Sequence, residues 1–108
     1  MPLYLSTFTY EPRTWAKLIY DSSNRREGVR ETVEAVGGSL RDFWYTMGDQ
    51  DGYVMFECPD DQAAMTFLSV SYSRGNLRSI KTSKLFTVEE MVSSLEAAGE
   101  LPNLPERP

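Results

Sequence analysis

The sequence contains no histidine and only one cysteine, Cys58. Without histidine, the chain lacks the usual acid–base group of neutral pH, Ser-His-Asp and Cys-His sites, and the commonest ligand of zinc and haem. A single cysteine cannot form an intrachain disulfide. The negative charges of Asp60 and Asp61, which follow Cys58, disfavour ionisation of its thiol. We therefore expect Cys58 to be buried and inert. We therefore expect neither a metal nor another cofactor.

Basic clusters and long apolar runs are also missing. The net charge is −5, and the densest basic cluster is the pair Arg25-Arg26. Binding of phosphates requires a coherent basic surface, so we expect no nucleic-acid partner. There is no positively charged leader and no apolar run of membrane-spanning length. We therefore expect no membrane association and a cytoplasmic location.

What is present is the composition of a globular domain, with 41% hydrophobic and 25% charged residues in a chain of 108. A domain of this size buries only about two-thirds of its unfolded surface, so association with another surface would add stability. We expect one domain over residues 1–98, followed by a mobile tail at 99–108 that contains three prolines.

Four segments rich in β-branched and aromatic residues predict strands, over residues 3–10, 39–47, 53–58 and 76–86. The second and third are joined by the short, turn-forming loop 48–52, which predicts an antiparallel hairpin. In the fourth strand the apolar residues change phase. Because side chains alternate strictly along a strand, this change predicts a bulge near Ser79.

Four helices are predicted by caps and apolar spacing. The first three begin near Pro12, Asn24 and Asp60, and the first carries a short apolar stripe of Trp15, Leu18 and Ile19. The last opens with a capping box from Thr87 to Glu90. Its apolar stripe consists of Val88, Met91, Val92 and Leu95.

The order of these elements predicts the fold class. Two β-α-β crossovers surround a hairpin, which is the plan of an α+β, ferredoxin-like βαββαβ sandwich. We expect an antiparallel four-stranded sheet with helices on one face and an extra C-terminal helix.

Three motifs resemble those of the GYD domain family: GDQDGYVMFECPDDQAA at 48–64, GNLRS at 75–79 and FTVEEM at 86–91. The resemblance covers residues 1 to about 92. It implies a ferredoxin-like domain of the dimeric α+β barrel type, found in prokaryotes and without an established biochemical function. Related barrels include cofactor-free monooxygenases and small-ring isomerases. The family's name-giving tyrosine is replaced here by Gln50, so a role of that ring cannot be transferred.

Three charged residues are candidates for a site. Asp51 is either a general base or ligand contact at the mouth of the hairpin, or a turn aspartate that binds nearby backbone N–H groups. Glu57 lies among apolar residues, where an unpaired carboxylate would have a raised pKa and suit acid–base work. Alternatively, Glu57 forms a salt bridge to Arg41 or Arg78. Arg78 is either an anion clamp or one half of that ion pair.

The hairpin has apolar residues on both faces. If positions i and j pair so that their numbers sum to about 100, one face carries Phe43, Tyr45, Met47, Tyr53 and Met55. The other face then carries Leu40, Trp44, Val54, Phe56 and Cys58. A slip of one residue would exchange the partners. One face packs on the helices, and the other becomes plain core, a dimer interface or a ligand pocket.

Three functions are consistent with these features. The first is a homodimeric module, paired through the helix-free face of the sheet, that binds a small apolar or aromatic molecule beside the sheet. The second is a cofactor-independent enzyme with Tyr53, Glu57 or Asp51 as its acid–base group. The third is a structural or regulatory interaction domain. The candidate ligand-binding residues are Tyr45, Asp51, Tyr53, Met55, Glu57 and Arg78.

Overall fold

The computed structural model describes residues 1–108. The elements follow in the order β1 (Leu3–Tyr10), α1 (Pro12–Tyr20), α2 (Arg25–Ala35), β2 (Ser39–Tyr45), β3 (Gly52–Glu57), α3 (Asp61–Ser73), β4 (Leu77–Leu85) and α4 (Val88–Gly99). This is the predicted order. The largest difference in bounds is at β2, which ends two residues earlier than predicted.

The four strands form one antiparallel sheet in the order β2-β3-β1-β4. Strand β3 lies between β1 and β2, and β1 lies between β3 and β4. Each β-α-β unit is thus split by a strand of the other unit, which is the ferredoxin-like arrangement. The predicted α+β class is confirmed.

The core lies between one face of this sheet and the helices. Side chains alternate along β1, so that Tyr4, Ser6, Phe8 and Tyr10 are buried while the residues between them are half-buried. Helices α2 and α3 complete the core with Val33, Ala64 and Phe67. The opposite face of the sheet has no such layer over it.

Helix α1 packs through the predicted face, with Thr14 added to it and Ile19 left out. Thr14 is its buried residue, and its hydroxyl donates to the backbone carbonyl of Asn76 at 2.8 Å. Leu18 is half-buried beside it, whereas Ile19 is 78% exposed. The predicted apolar stripe is therefore correct for Leu18 and for Trp15, which packs against the Tyr10 ring, and wrong for Ile19.

The register of the hairpin also differs from the predicted one. Phe43 pairs with Val54 and Trp44 with Tyr53, and the register shifts between Leu40 and Asp42. The N–H of Thr46 donates to the carbonyl of Asp51 at 2.9 Å, so the same register continues to the start of the loop. From Asp42 to Tyr45 the predicted pairing was wrong by three residues, so these residues change face, whereas Leu40 keeps its predicted face beside Phe56.

Each predicted face set is consequently a mixture of two faces. Phe43 lies on the helix side together with Val54 and Phe56, and these three are buried. Trp44 lies on the helix-free side, opposite Tyr53. Along β3 the predicted alternation is correct, and the error is confined to β2.

The bulge predicted in β4 is confirmed. Thr9 pairs with Ser79 and Tyr10 with Leu77, so Arg78 is the extra residue. The bulge returns Leu77 to the helix side of the sheet, where it packs against the core.

Helix α4 has the predicted capping box, in which the Thr87 hydroxyl accepts from the Glu90 N–H and the Glu90 carboxylate accepts from the Thr87 N–H, both at 3.0 Å. No residue of this helix is buried. The chain measures 61 × 31 × 20 Å with a radius of gyration of 17.8 Å, against about 13 Å for a compact domain of this length. Helix α4 therefore extends away from the sandwich. None of the helices is long and apolar enough to cross a membrane.

Candidate functional site

An apolar cavity of about 60 Å³ lies between the sheet and the helices. All four strands contribute to its wall, together with α2 and α3. Eight of its ten lining residues are hydrophobic, among them Phe8, Val29, Phe43, Phe67 and Ile80. One water-sized probe occupies about 10–15 Å³, so this inner cavity has room for roughly four to six non-hydrogen atoms.

A second, wider cavity of about 260 Å³ adjoins the first. Both are lined by Tyr10, Val29, Ser71 and Leu77, so the outer cavity forms a mouth to the inner one. The mouth is polar. Its remaining lining residues are Ser23, Asn24, Arg25, Gly28, Arg74 and Asn76. No aspartate or glutamate lines either cavity.

Two arginines reach the mouth from different elements. Arg25 is the first residue of α2, and the start of that helix is fixed by Asn24, whose side chain accepts from the Arg26 N–H. Arg74 is the C-cap of α3. The Nε of Arg25 is buried and has no hydrogen-bond partner. A buried donor without an acceptor is costly, so this group is suited to an acceptor that arrives with a ligand.

Tyr10 stands at the junction of the two cavities. Its hydroxyl lies 3.1 Å from the hydroxyl of Tyr45. Burial chiefly raises the pKa of the Tyr10 phenol, and the hydrogen bond with Tyr45 raises it further, while Arg25 acts in the opposite direction. Tyr10 is therefore a neutral phenol at ordinary pH. It can share a hydrogen bond with a ligand, but it is not poised to act as a base.

Asp51 lies behind Tyr10 and supports it. Its carboxylate accepts from the Tyr10 backbone N–H at 2.8 Å and from the Trp15 indole Nε1–H at 3.3 Å. The indole then packs edge-on against the Tyr10 ring, with centroids 5.2 Å apart. These contacts agree with the turn-aspartate hypothesis, although the backbone N–H that Asp51 binds belongs to β1 and not to its own loop.

The six residues proposed from the sequence lie in three places. Tyr53, Met55 and Glu57 are half-buried on the helix-free face. Asp51 and Tyr45 belong to the aromatic group around Tyr10. Arg78 is the bulged residue of the edge strand β4. The structure thus does not bring the six together around one cavity.

Of the two partners proposed for Glu57, the structure selects Arg41. The Arg41 guanidinium donates to the Glu57 carboxylate at 2.6 Å, along the helix-free face. The Arg78 side chain forms no salt bridge. Its backbone carbonyl instead accepts from the Tyr72 hydroxyl at 3.3 Å.

Sequence reasoning missed the residues at the junction and the mouth, above all Tyr10, Arg25 and Arg74. In the sequence, Tyr10 looks like any strand aromatic, and Arg25 belongs to an isolated basic pair. They converge only because the start of α2 and the end of α3 both lie over the β1–β4 end of the sheet. The one available signal was that each arginine flanks a helix end, Arg25 at the start of α2 and Arg74 at the end of α3.

Cys58 is fully buried under α2, where its Sγ lies 3.1 Å from the position that a Cβ on Gly38 would take. Burial raises the pKa of this thiol, and the negative charge of Asp60 raises it further. The predicted burial of Cys58 is confirmed. No three of the carboxylates and this thiol lie close enough together to hold a metal ion.

A family model for the GYD domain matches residues 4–95, most of the chain. The chain belongs to the GYD domain family. Among solved structures, PA3566 from Pseudomonas aeruginosa is similar, at 20% identity and a TM-score of 0.47 over 81% of this chain and 94% of that one. An uncharacterized NIPSNAP-like domain protein from Burkholderia xenovorans is similar at 15% identity and a TM-score of 0.47, over 96% and 90%. No curated protein matches the chain.

Proposed function

We propose that this GYD domain protein is a homodimeric module that binds a small, largely apolar molecule bearing an acidic group. The observation that carries the proposal is the pair of adjoining cavities between the sheet and the helices. An apolar inner cavity opens into a mouth with two arginines and no carboxylate. The binding place lies on the helix side of the sheet, and not around the six residues predicted from the sequence.

The size of the two cavities supports a small ligand. Volumes of about 60 and 260 Å³ together reach the lower end of the roughly 300–1,000 Å³ that is usual for small-molecule sites. A phenyl or short alkyl group would occupy the inner cavity among Phe8, Phe43 and Phe67. Burial of such a group stabilises the complex by about 25 cal/mol for each Å² of apolar surface removed from water.

The positive charge of the mouth supports a ligand that carries an acidic group. Arg25 and Arg74 both line it, and a guanidinium binds a carboxylate through two parallel hydrogen bonds. The unpaired Nε of Arg25 supplies one donor without breaking a contact inside the protein. The neutral hydroxyl of Tyr10 and the side chains of Asn24 and Asn76 would complete the polar shell.

Binding is favoured over catalysis by the contacts of the two carboxylates proposed as acid–base groups. Asp51 already accepts from two donors, and Glu57 is paired with Arg41. Neither lines the two cavities. The hypothesis of a cofactor-independent enzyme with these groups is therefore the weaker one.

The helix-free face of the sheet supports the homodimer. It carries Trp44, Tyr53 and Met55 on the hairpin side and Leu3 and Leu5 on β1. Trp44 is 55% exposed, and the other four are half-buried. A contiguous apolar surface of this kind is typical of an interface. In a twofold dimer that pairs sheet against sheet, the same face of each copy covers that of the other.

The test uses benzoate as the probe and benzyl alcohol as its uncharged counterpart, with binding followed by NMR shifts of ¹⁵N-labelled protein. We expect benzoate to perturb residues of both cavities and Arg25→Gln to weaken its binding at least tenfold. The same variant should leave the weaker binding of benzyl alcohol unchanged. Arg30→Gln serves as the matched control, because it removes the same charge from α2 outside both cavities. Shifts confined to the helix-free face would contradict the proposed place of binding.

A further inference from the structure

The inner cavity is lined by successive rows of side chains along β1. Tyr10 pairs with Leu77, and both line the two cavities, so this row lies at the mouth. Phe8, two residues back on β1, lines the inner cavity but not the mouth. Ser6 pairs with Val54, and these two form the row farthest from Tyr10. Since a strand rises about 3.3 Å per residue, this end wall lies about 13 Å from the mouth.

The end wall is closed by packed side chains. Ser6 and Val54 are 1% and 6% exposed. The next row behind them is the pair of Tyr4 and Phe56, whose rings stack with centroids 5.3 Å apart. The Phe56 ring in turn lies 4.7 Å from that of Phe67, which lines the cavity. Because a protein interior is packed as densely as an organic crystal, this end does not give way to a longer ligand without a cost in free energy.

The hydroxyl groups of the inner cavity already have partners. The Oγ of Ser6 lies 2.7 Å from the Oγ1 of Thr82, and the Ser71 hydroxyl donates to the carbonyl of Phe67 at 2.9 Å. No buried side-chain atom that lacks a hydrogen-bond partner lines this cavity, in contrast to Arg25 at the mouth. A polar group at the end of a ligand would therefore lose its hydrogen bonds to water without meeting an unpaired group.

We propose that the inner cavity selects monocarboxylic acids with a short, wholly apolar tail, and that Val54 in the end wall limits the length of that tail. This inference rests on the proposed function, in which Arg25 and Arg74 bind the acidic group at the mouth. The cavity of about 60 Å³ admits roughly four to six non-hydrogen atoms. The ligand class is therefore the acids from pentanoate to heptanoate, together with aromatic acids of the size of benzoate.

The affinities of straight-chain carboxylates test the length limit, with binding followed by NMR shifts of the ¹⁵N-labelled full chain. From propanoate upward, each methylene that enters the cavity should raise the affinity about fourfold. We expect the rise to end between pentanoate and heptanoate, and octanoate to bind more weakly than the optimal acid. Hexanoate with a terminal hydroxyl should bind about tenfold more weakly than hexanoate itself. Equal affinities for these two would mean that the end of the tail stays in water, which would overturn the proposal.

Two substitutions test the role of Val54. Val54→Ala removes two methyl groups from the end wall and should shift the optimum to acids that are one or two carbons longer. Val54→Ile keeps the wall filled and should shift the optimum to shorter acids, so it tests the same role even if Val54→Ala fails to fold. Val33→Ala is the matched control, because Val33 is fully buried and lines neither cavity. It should leave the optimum unchanged. The same optimum in every variant would overturn the role of Val54.

The length limit and the proposed function can fail separately. An affinity that keeps rising through octanoate and decanoate would overturn the length limit, since the tail would then lie outside the closed cavity. If benzoate still perturbs residues of both cavities in that case, the proposed function stands. If neither benzoate nor any of the straight-chain carboxylates perturbs these residues, the length limit and the proposed function are both wrong.

Discussion

The carboxylate of Asp51 accepts a 2.8 Å hydrogen bond from the backbone N–H of Tyr10. The Asp51 N–H in turn donates to the carbonyl of Phe8 at 2.8 Å. The loop of the hairpin is thereby fastened to the end of β1, next to the tyrosine that joins the two cavities. Asp51, which the sequence suggests as a general base, thus holds Tyr10 in place in the wall of the candidate site.

Asp51→Ala should destabilise the fold by about 2 kcal/mol, because it removes the acceptor for one backbone and one indole donor. Asp51→Asn should cost less, since its amide oxygen can still accept from the Tyr10 N–H. Unfolding in urea, followed by fluorescence, would measure both. If Asp51 were instead a catalytic base or a direct ligand contact, both variants would lose binding while the free energy of unfolding stayed unchanged.

The alkaline limit of stability should be set by buried tyrosines. Burial, followed by the hydrogen bond to Asp61, raises the pKa of Tyr4 from 10.0 to about 12, and burial raises that of Tyr10 as well. The folded chain therefore keeps protons that the unfolded chain releases. The stability from these groups is fully present below about pH 10 and is lost as the pH rises from there through the folded pKa values.

Urea midpoints measured at several pH values between about 8 and 11.5 would check this dependence. We expect the midpoint to begin to fall near pH 9, where the unfolded chain ionises Cys58, and to fall more steeply above about pH 10, where it ionises the tyrosines. Tyr4→Phe should reduce the steepness of that fall. Tyr20→Phe, at a position that is 91% exposed, should leave it unchanged. Equal slopes for the two variants would show that Tyr4 does not contribute.

The ion pair between Arg41 and Glu57 should have a small effect on stability. The two side chains are 56% and 23% exposed, and partly exposed pairs contribute about 0.2–1 kcal/mol. A double-mutant cycle with Arg41→Ala and Glu57→Ala should give a coupling energy in this range. The same cycle with Arg78→Ala in place of Arg41→Ala should be additive. A coupling between Glu57 and Arg78 would contradict the observed pairing.

The fold could be predicted because several local signals agree. Strand composition, caps at Asp60 and Thr87, and the short hairpin loop all indicate the same order of elements, and the phase change in β4 locates the bulge. The register of β2 could not be predicted. Phe43, Trp44 and Tyr45 are consecutive aromatic residues, so alternation does not say which of them faces the helices. The hydrogen bond from the Thr46 N–H to the Asp51 carbonyl continues the observed register into the loop, and the sequence does not indicate it.

The candidate site was harder to predict for a different reason. Its walls come from all four strands and two helices, and each lining residue is ordinary in its own segment. Arg25 and Arg74 are 49 positions apart and meet at the mouth only through the crossover topology. The residues predicted from the sequence come mostly from one hairpin, because the sequence alone indicates proximity only between residues that are close along the chain.

The corrected register gives the dimer proposal a sharp test. Trp44 lies on the helix-free face, whereas the Tyr45 hydroxyl reaches Tyr10 on the other side. Trp44→Glu should therefore place a charge in the proposed interface and dissociate the dimer, and the isolated protomer should remain folded. Tyr45→Glu should instead disturb the aromatic group around Tyr10 and lower the stability of the protomer itself.

Light scattering across a dilution series, together with circular dichroism, would separate the two effects. Met47→Glu is the matched control, because Met47 is fully exposed on the loop and outside the sheet. We expect it to leave both the mass and the spectrum unchanged. An unmodified chain that stays monomeric at micromolar concentration would overturn the sheet-face dimer. A dimer that Trp44→Glu leaves intact would also contradict it, since a buried unpaired charge is too costly to be accommodated in a close apolar interface.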